Sequence, residues 1–221
     1  MKFWRNLFVI TLSVLISAVA FAEPTNLQVY KNQLQQYVAT GQYAREQQEV
    51  INQAHDYLAQ AIAYNAQQAK PQKLAMVLDI DETSLSNYPD MVLMSFGGDY
   101  NELAKQENRG KDPVIAPTLQ LYNYAKQNGV AVIFVTGRPG WMMPATVRDL
   151  RASGYKNWDG LILRNKRNMN QTAAVYKTAV RQKLENQGYD IVVNVGDQQS
   201  DLVGGYADRG FKLPNPFYYI P

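Results

Sequence analysis

The 221-residue chain contains no cysteine. That excludes disulfides, a thiolate nucleophile, thiolate metal ligands and a lipid-carrying cysteine behind a leader. Its fold must be held by its core alone. It has a single histidine, His55. Imidazole catalysis or an imidazole metal site needs partners that a lone histidine lacks. His55 stands among Val50, Ile51, Ala54, Leu58, Ala61 and Ile62 in a helical pattern, and reads as a helix-face residue. Charge of one sign is also scarce. The formal net charge is +3, without the concentrated basic patch that a nucleic-acid polymer partner requires.

Long hydrophobic runs are missing as well. The longest, Leu7 to Val19, is uncharged but shorter than the roughly 20 residues of a membrane span. Lys2 and Arg5 precede it, and Ala20-Phe21-Ala22 follows as a small-x-small cleavage site. This is the pattern of a secretory signal peptide over residues 1–22. The expectation is a single domain over 23–221, periplasmic or secreted after cleavage, with no stable membrane anchor. Loss of Lys2 and Arg5 leaves basic and acidic residues nearly balanced.

Residues 24–69 read as glutamine-rich helix, broken in two at Gly41, with the better apolar stripe from Tyr43 to Gln68. From Lys73 the pattern changes. Leu74–Leu78 is a short apolar strand closing on Asp79, and a loop with a helical insert spans 84–112. Pro117–Gln127 reads as a helix, and Val130–Val135 as a strand closing on Thr136. Pro144–Ala152 reads as a helix, Gly160–Leu163 as a strand, Thr172–Asn186 as a helix and Ile191–Val195 as a strand before Gly196-Asp197. Alternating strands and helices imply a parallel sheet covered on both faces. Ligands bind at the carboxyl ends of such strands, where Asp79, Thr136 and Asp197 all fall.

Asp79 and Asp81 are carboxylates two residues apart at a strand end. One can attack phosphorus and become an aspartyl phosphate, while the other protonates the leaving oxygen and later activates water. A bound Mg²⁺ lowers the repulsion between carboxylate and phosphate and prefers oxygen ligands. Asp197 is the better direct ligand, with Asp201 binding through water or orienting a neighbour. The Thr136 hydroxyl and the Gly137 amide can hold phosphate oxygens at a strand-to-helix turn. Arg138 has two equal readings, a phosphate contact and a surface salt bridge. A fixed cation is also needed, and spacing does not choose among Lys177, Lys166, Arg164, Arg167, Arg181 and Lys183.

These motifs, in this order, resemble the haloacid dehalogenase superfamily of phosphotransferases from about Lys73 to Pro214. The segments LDIDETSLSN, FVTGRP, VYKTAVR and VGDQQSDL, with TGQYAREQQEVINQAHDYL nearer the start, are similar to its acid phosphatase branch. That branch joins bacterial class C acid phosphatases and plant vegetative storage proteins. The resemblance implies a Rossmann-like three-layer α/β sandwich with a central parallel sheet. It implies Asp79 as nucleophile, Asp81 as acid/base, Thr136 as phosphate ligand and Lys177 as the fixed cation. It places Mg²⁺ on Asp79, the Asp81 backbone carbonyl and Asp197, with Asp201 supporting. Many class C members are lipoproteins, whereas this chain has no cysteine to lipidate. Some storage relatives have lost the nucleophile, whereas Asp79 is kept here.

The implied activity is hydrolysis of small phosphate monoesters, including nucleoside monophosphates. Tyr88, Phe96 and Tyr100 of the insert are available to stack on a flat group, although core or lid packing is their more ordinary role. The alternative is a non-catalytic storage or ligand-binding protein on the same fold. Dehalogenation with the same nucleophile is disfavoured by Asp81, whose acid serves an oxygen leaving group.

Overall fold

The computed structural model describes residues 24–110 and 112–221, without the side chain of Tyr100. The expected signal peptide and the Tyr100 stacking role lie outside the described residues. Two helices come first, α1 (Leu27–Ala39) and α2 (Gln42–Ala66). The Asn26 side chain caps α1 by accepting the Gln28 N–H at 2.9 Å. Gly41 separates the helices at φ +75°, a left-handed conformation that glycine adopts at little cost. The buried face of α2 carries Tyr43, Gln47, Ile51, Ala54 and Leu58, the three-to-four spacing of one helical face. Leu58 is fully buried, and Leu58→Ala would cost about 2–5 kcal/mol.

The sheet follows. Strand β1 (Lys73–Leu78) is succeeded by α3 (Tyr88–Leu93), α4 (Tyr100–Glu107) and α5 (Ala116–Gln127). Next come β2 (Ala131–Pro139), a 3-10 turn at Gly140–Met142, α6 (Met143–Ala152) and β3 (Gly160–Arg164). The chain ends with α7 (Ala173–Asn186), β4 (Tyr189–Gly196), α8 (Gln199–Leu202), β5 (Arg209–Lys212) and an extended segment over 213–221. All strand pairs are parallel, in the order β3-β2-β1-β4-β5. Leu74 to Leu78 are all buried because β1 is covered on both faces. Met76 and Leu78 face a core shared with Ile51, Leu58, Leu121 and Phe134. Ala75 and Val77 face the opposite core, with Tyr176, Val180 and Leu184 of α7.

The chain winds outward from β1 through β2 to β3, then crosses to β4 on the other side of β1. That reversal opens a crevice at the carboxyl ends of β1 and β4, where ligands bind in such sheets. One expectation needs correction. β2 does not close at Thr136: it runs to Pro139, which pairs with Arg164 after a register shift that begins at Val135. β5 carries no sequence signature, because its four residues bury only Phe211, too little for a period to show. No helix among the described residues is long and apolar enough to cross a membrane.

Candidate active site

Asp79 leaves β1 still tied to the sheet, its N–H donating to Val195 O at 3.0 Å. The Ser84 hydroxyl donates to Asp79 O at 2.7 Å, and the amides of Thr83, Ser84 and Leu85 turn back onto Ile80 O. This tight turn fixes the carboxylate in the crevice, where it is 7% exposed. Lys177 reaches it from the second turn of α7, the helix whose N-cap is Thr172. Its ammonium donates to Asp79 Oδ1 and to Asp201 Oδ1, each at 2.6 Å. Burial alone would pull the Lys177 ammonium down, but the Asp201 and Asp79 carboxylates outweigh it and hold it well above the usual range. Burial pushes the Asp79 carboxyl up despite Lys177, with Asp201, Asp197 and Asp81 adding to the rise.

Carboxylate oxygens of Asp79, Asp197 and Asp201 lie within 4.8 Å of one another, all buried. One ammonium bonds two of these three carboxylates, so the cluster has an excess of acidic groups and hard oxygen donors. That donor set fits a divalent cation such as Mg²⁺. Burial raises the Asp197 carboxyl to about 6, with Asp201 adding to it while Asn215 and Gln198 oppose. The Thr83 hydroxyl donates to Asp197 Oδ1 at 3.1 Å.

The side chain of Asp81 stands apart from this cluster. Arg138 Nε donates to both its oxygens, at 3.0 and 3.1 Å, and Nη2 to Oδ1 at 2.6 Å. Asn87 adds a donor at 3.2 Å and the Thr136 hydroxyl a long one at 3.5 Å. Burial raises the Asp81 carboxyl, but the Arg138 charge and hydrogen bonds outweigh it and leave it below its ordinary value. Arg138 is 1% exposed, and Nη2 also donates to Asp112 at 2.9 Å. The surface salt-bridge reading of Arg138 is therefore wrong. The fork donates to Asp81 and Asp112. Thr136 is fully buried and its hydroxyl accepts the Arg138 N–H at 3.1 Å.

A cavity of about 380 Å³ opens over the site, bounded by Asp79, Asp81, Gly137 and Lys177 and by the more apolar Leu103 and Ile220. A hollow of about 750 Å³ lies among Tyr57, Tyr64 and Asp190 near the amino ends of the strands, away from these carboxylates. Among the competing cations, Arg164 donates to Asn168 O and Gln171 O. Arg181 donates to Asp201 O and Gly205 O, while Lys166, Arg167 and Lys183 are exposed. Tyr88 and Phe96 pack on Phe217, with centroids 5.2 and 6.0 Å away, so they are packing residues. His55 lies on α2 against Tyr124 at 4.2 Å, as a helix-face residue.

Several residues here have roles that sequence spacing does not reveal. Glu82, at φ 47°, is buried and accepts hydrogen bonds from Tyr43 and Ser86. Burial lifts its carboxyl to about 7 against those two bonds. Asn215 and Gln198 donate to Asp197 Oδ2 at 2.7 and 2.6 Å. The Asp112 carboxyl, behind Arg138, is raised to about 7 by burial against the pull of that guanidinium. Glu82 adjoins the first motif, which was its only available clue.

A family model described as HAD superfamily, subfamily IIIB (acid phosphatase) matches residues 8–221. The stem 28 kDa glycoprotein of Glycine max is 37% identical over 191 residues, 84% of this chain and 72% of the relative. Acid phosphatase 1 of Solanum lycopersicum is 38% identical over 148 residues, 65% of this chain and 58% of that protein. The class C acid phosphatase from Bacillus anthracis shares the fold, with TM-score 0.69 at 19% identity, covering 87% of this chain and 86% of the other.

Proposed function

The chain belongs to the acid phosphatases of HAD subfamily IIIB and is a phosphomonoesterase, and from that premise we propose that it works through an aspartyl phosphate on Asp79 with Mg²⁺. The observation that carries this reading is the separation of the two carboxylates. Asp79 sits with Lys177 in the acidic cluster, while the Asp81 side chain is held outside it by Arg138. One is placed to attack and the other to move a proton.

Asp79, Asp197 and the Asp81 carbonyl would hold Mg²⁺, with Asp201 supporting through its bond to Lys177. When bound, the cation offsets the repulsion between a carboxylate and a phosphate dianion. Asp79 attacks phosphorus, and the bond from phosphorus to the ester oxygen breaks. The Asp81 carboxyl, which must first take up a proton against the pull of Arg138, gives that proton to the oxygen, so the alcohol leaves neutral. Asp81 then takes a proton from the water that attacks the aspartyl phosphate, releasing phosphate and restoring the Asp79 carboxylate and the protonated Asp81 carboxyl. Lys177 keeps Asp79 oriented and favours its ionised form against burial, and the Thr136 hydroxyl with the Gly137 amide holds phosphate oxygens. Small phosphate monoesters, nucleoside monophosphates among them, are the substrates, at a periplasmic or secreted location after removal of residues 1–22.

A storage role alone requires none of Asp79, Asp81, Thr136, Lys177 and Asp197, all of which are present, so the catalytic reading is the better one. Asp79→Asn tests it. The variant should stay folded and lose steady-state turnover, and acid quenching of the native enzyme should trap phosphate on Asp79. Near-normal turnover in a clean, Mg²⁺-loaded Asp79→Asn sample refutes the covalent route.

A further inference from the structure

The segment over 213–221 crosses back to the site after β5. Its Asn215 donates through Nδ2 to Asp197 Oδ2 at 2.7 Å, from 18 residues along the chain. The amide cannot turn freely, because its Oδ1 accepts the Phe217 N–H at 2.9 Å. Phe217 is buried against Tyr43, with ring centroids 5.2 Å apart. The segment is pinned again further on. The Ile220 N–H donates to Gln198 Oε1 at 3.1 Å, and Ser200 Oγ donates to Ile220 O at 3.0 Å.

We propose that Asn215 is a positioning residue that sets the Asp197 carboxylate for divalent-cation binding. The inference rests on the reading of Asp197 as a cation ligand. An ionised carboxylate offers about four acceptor sites. On Asp197 three are taken, by Thr83, Gln198 and Asn215, and all three donors are neutral. A lysine or arginine at position 215 would also fix the carboxylate, but it would cancel the charge that attracts a cation. A neutral amide orients the oxygen and stabilises its ionised form while leaving the acidic cluster its excess negative charge. Partners of this kind behind a metal ligand govern cation affinity without touching the ion. Asn215 bonds Asp197 directly, whereas Ile220 reaches it only through Gln198, so the Asn215 contact ties the ordering of 213–221 to the state of the cation site.

Asn215→Ala removes both of its contacts. Asn215→Ser keeps a short side-chain oxygen able to accept the Phe217 N–H but cannot reach Asp197. Mg²⁺ affinity of the native chain and of both variants is measured by calorimetry without substrate, alongside thermal melting. Both variants should bind Mg²⁺ about tenfold more weakly, with Asn215→Ser losing less melting temperature than Asn215→Ala. At saturating Mg²⁺ their kcat should return towards the native value. Unchanged Mg²⁺ affinity with a lowered melting temperature in Asn215→Ser would reduce Asn215 to a structural tether and overturn the proposal. A native chain that takes up no Mg²⁺ would overturn the cation reading itself, and a native chain that binds while the variants bind equally well would overturn only the role of Asn215.

Discussion

Arg138 and Asp81 meet as a part-buried fork, with Nη2 2.6 Å from Oδ1 and Nε within 3.1 Å of both oxygens. The guanidinium is backed by Asp112 at 2.9 Å and by Glu107 at 3.9 Å. A planar cation with fixed donors holds a carboxylate in one orientation, which an ammonium cannot do. Arg138 thus aims Asp81 across the crevice from Asp79 while keeping it out of the cation cluster.

Arg138→Met should therefore strip the buried acids Asp112 and Glu107, and the part-buried Asp81, of their counter-ion. Breaking a buried pair by removing one partner costs about 3–5 kcal/mol, so urea unfolding should show a loss of that order. Arg138→Lys should restore much of the stability but not the fork, and kcat/KM for unactivated esters should fall by about 10²-fold. Equal activity of Arg138→Lys and the native enzyme would show that the orientation of Asp81 does not depend on the fork.

Lys177 serves two carboxylates at once. Lys177→Met leaves Asp79 and Asp201 buried beside Asp197 with no fixed positive charge. Phosphorylation of Asp79 should cease, and stability without metal should drop by about 3–5 kcal/mol. Mg²⁺ should then raise the melting temperature more in the variant than in the native chain, because the cation takes over the missing charge. A smaller Mg²⁺-dependent rise in the variant would mean that Lys177 helps to build the cation site rather than competing with it.

The strand-end carboxylates were legible because each closes a largely apolar run, broken only by Asn194 before Asp197, and such runs end at the binding edge of a parallel sheet. Lys177 was one of six basic residues on equal footing until a family pattern was laid over them. A helix residue's reach across a sheet edge is not visible in spacing. Asp112 and Asn215 are invisible for the same reason: their partners, Arg138 and Asp197, lie far along the chain, and neither belongs to a local motif. Arg138 misled because arginine is mostly a surface residue. Its burial follows from the extension of β2 beyond Thr136, which carries it inward between the insert and α6.

Two acids should make the chain less stable as pH rises towards neutrality. Asp112 and Glu82 both sit at about 7 in the folded chain, against 3.8 and 4.5 ordinarily. Between those limits the folded state holds more protons than the unfolded one, so stability falls with rising pH. Their contribution is most favourable below about pH 4 and is lost as pH passes about 7. Asp112→Asn should flatten the decline of the urea midpoint across this window, and the slope left over should come in part from Glu82. An unchanged slope would place the Asp112 carboxyl near its ordinary value and weaken the picture of Arg138 as overcommitted to several acids.

Asp81→Asn should separate proton transfer from attack. A poor alkoxide leaving group needs a proton as its bond to phosphorus breaks, whereas an activated aryl oxide leaves with less help. Asparagine has no proton to give, so single-turnover phosphorylation should slow most for alkyl esters, by about 10²–10⁴-fold, and least for activated aryl esters. The same change removes the base that activates water. Activated substrates should then show a burst of one leaving group per site, followed by slow turnover as the aspartyl phosphate accumulates. Mg²⁺ affinity should change less than in Asp197→Asn, because the Asp81 side chain belongs to Arg138 rather than to the acidic cluster. The measurement is a series of aryl and alkyl phosphates in single and multiple turnovers, with Mg²⁺ titrations of both variants. Equal slowing across every leaving group would remove the acid role from Asp81. Loss of Mg²⁺ binding as complete as in Asp197→Asn would instead make its carboxylate a cation ligand, and the fork with Arg138 would then have to open when the cation arrives.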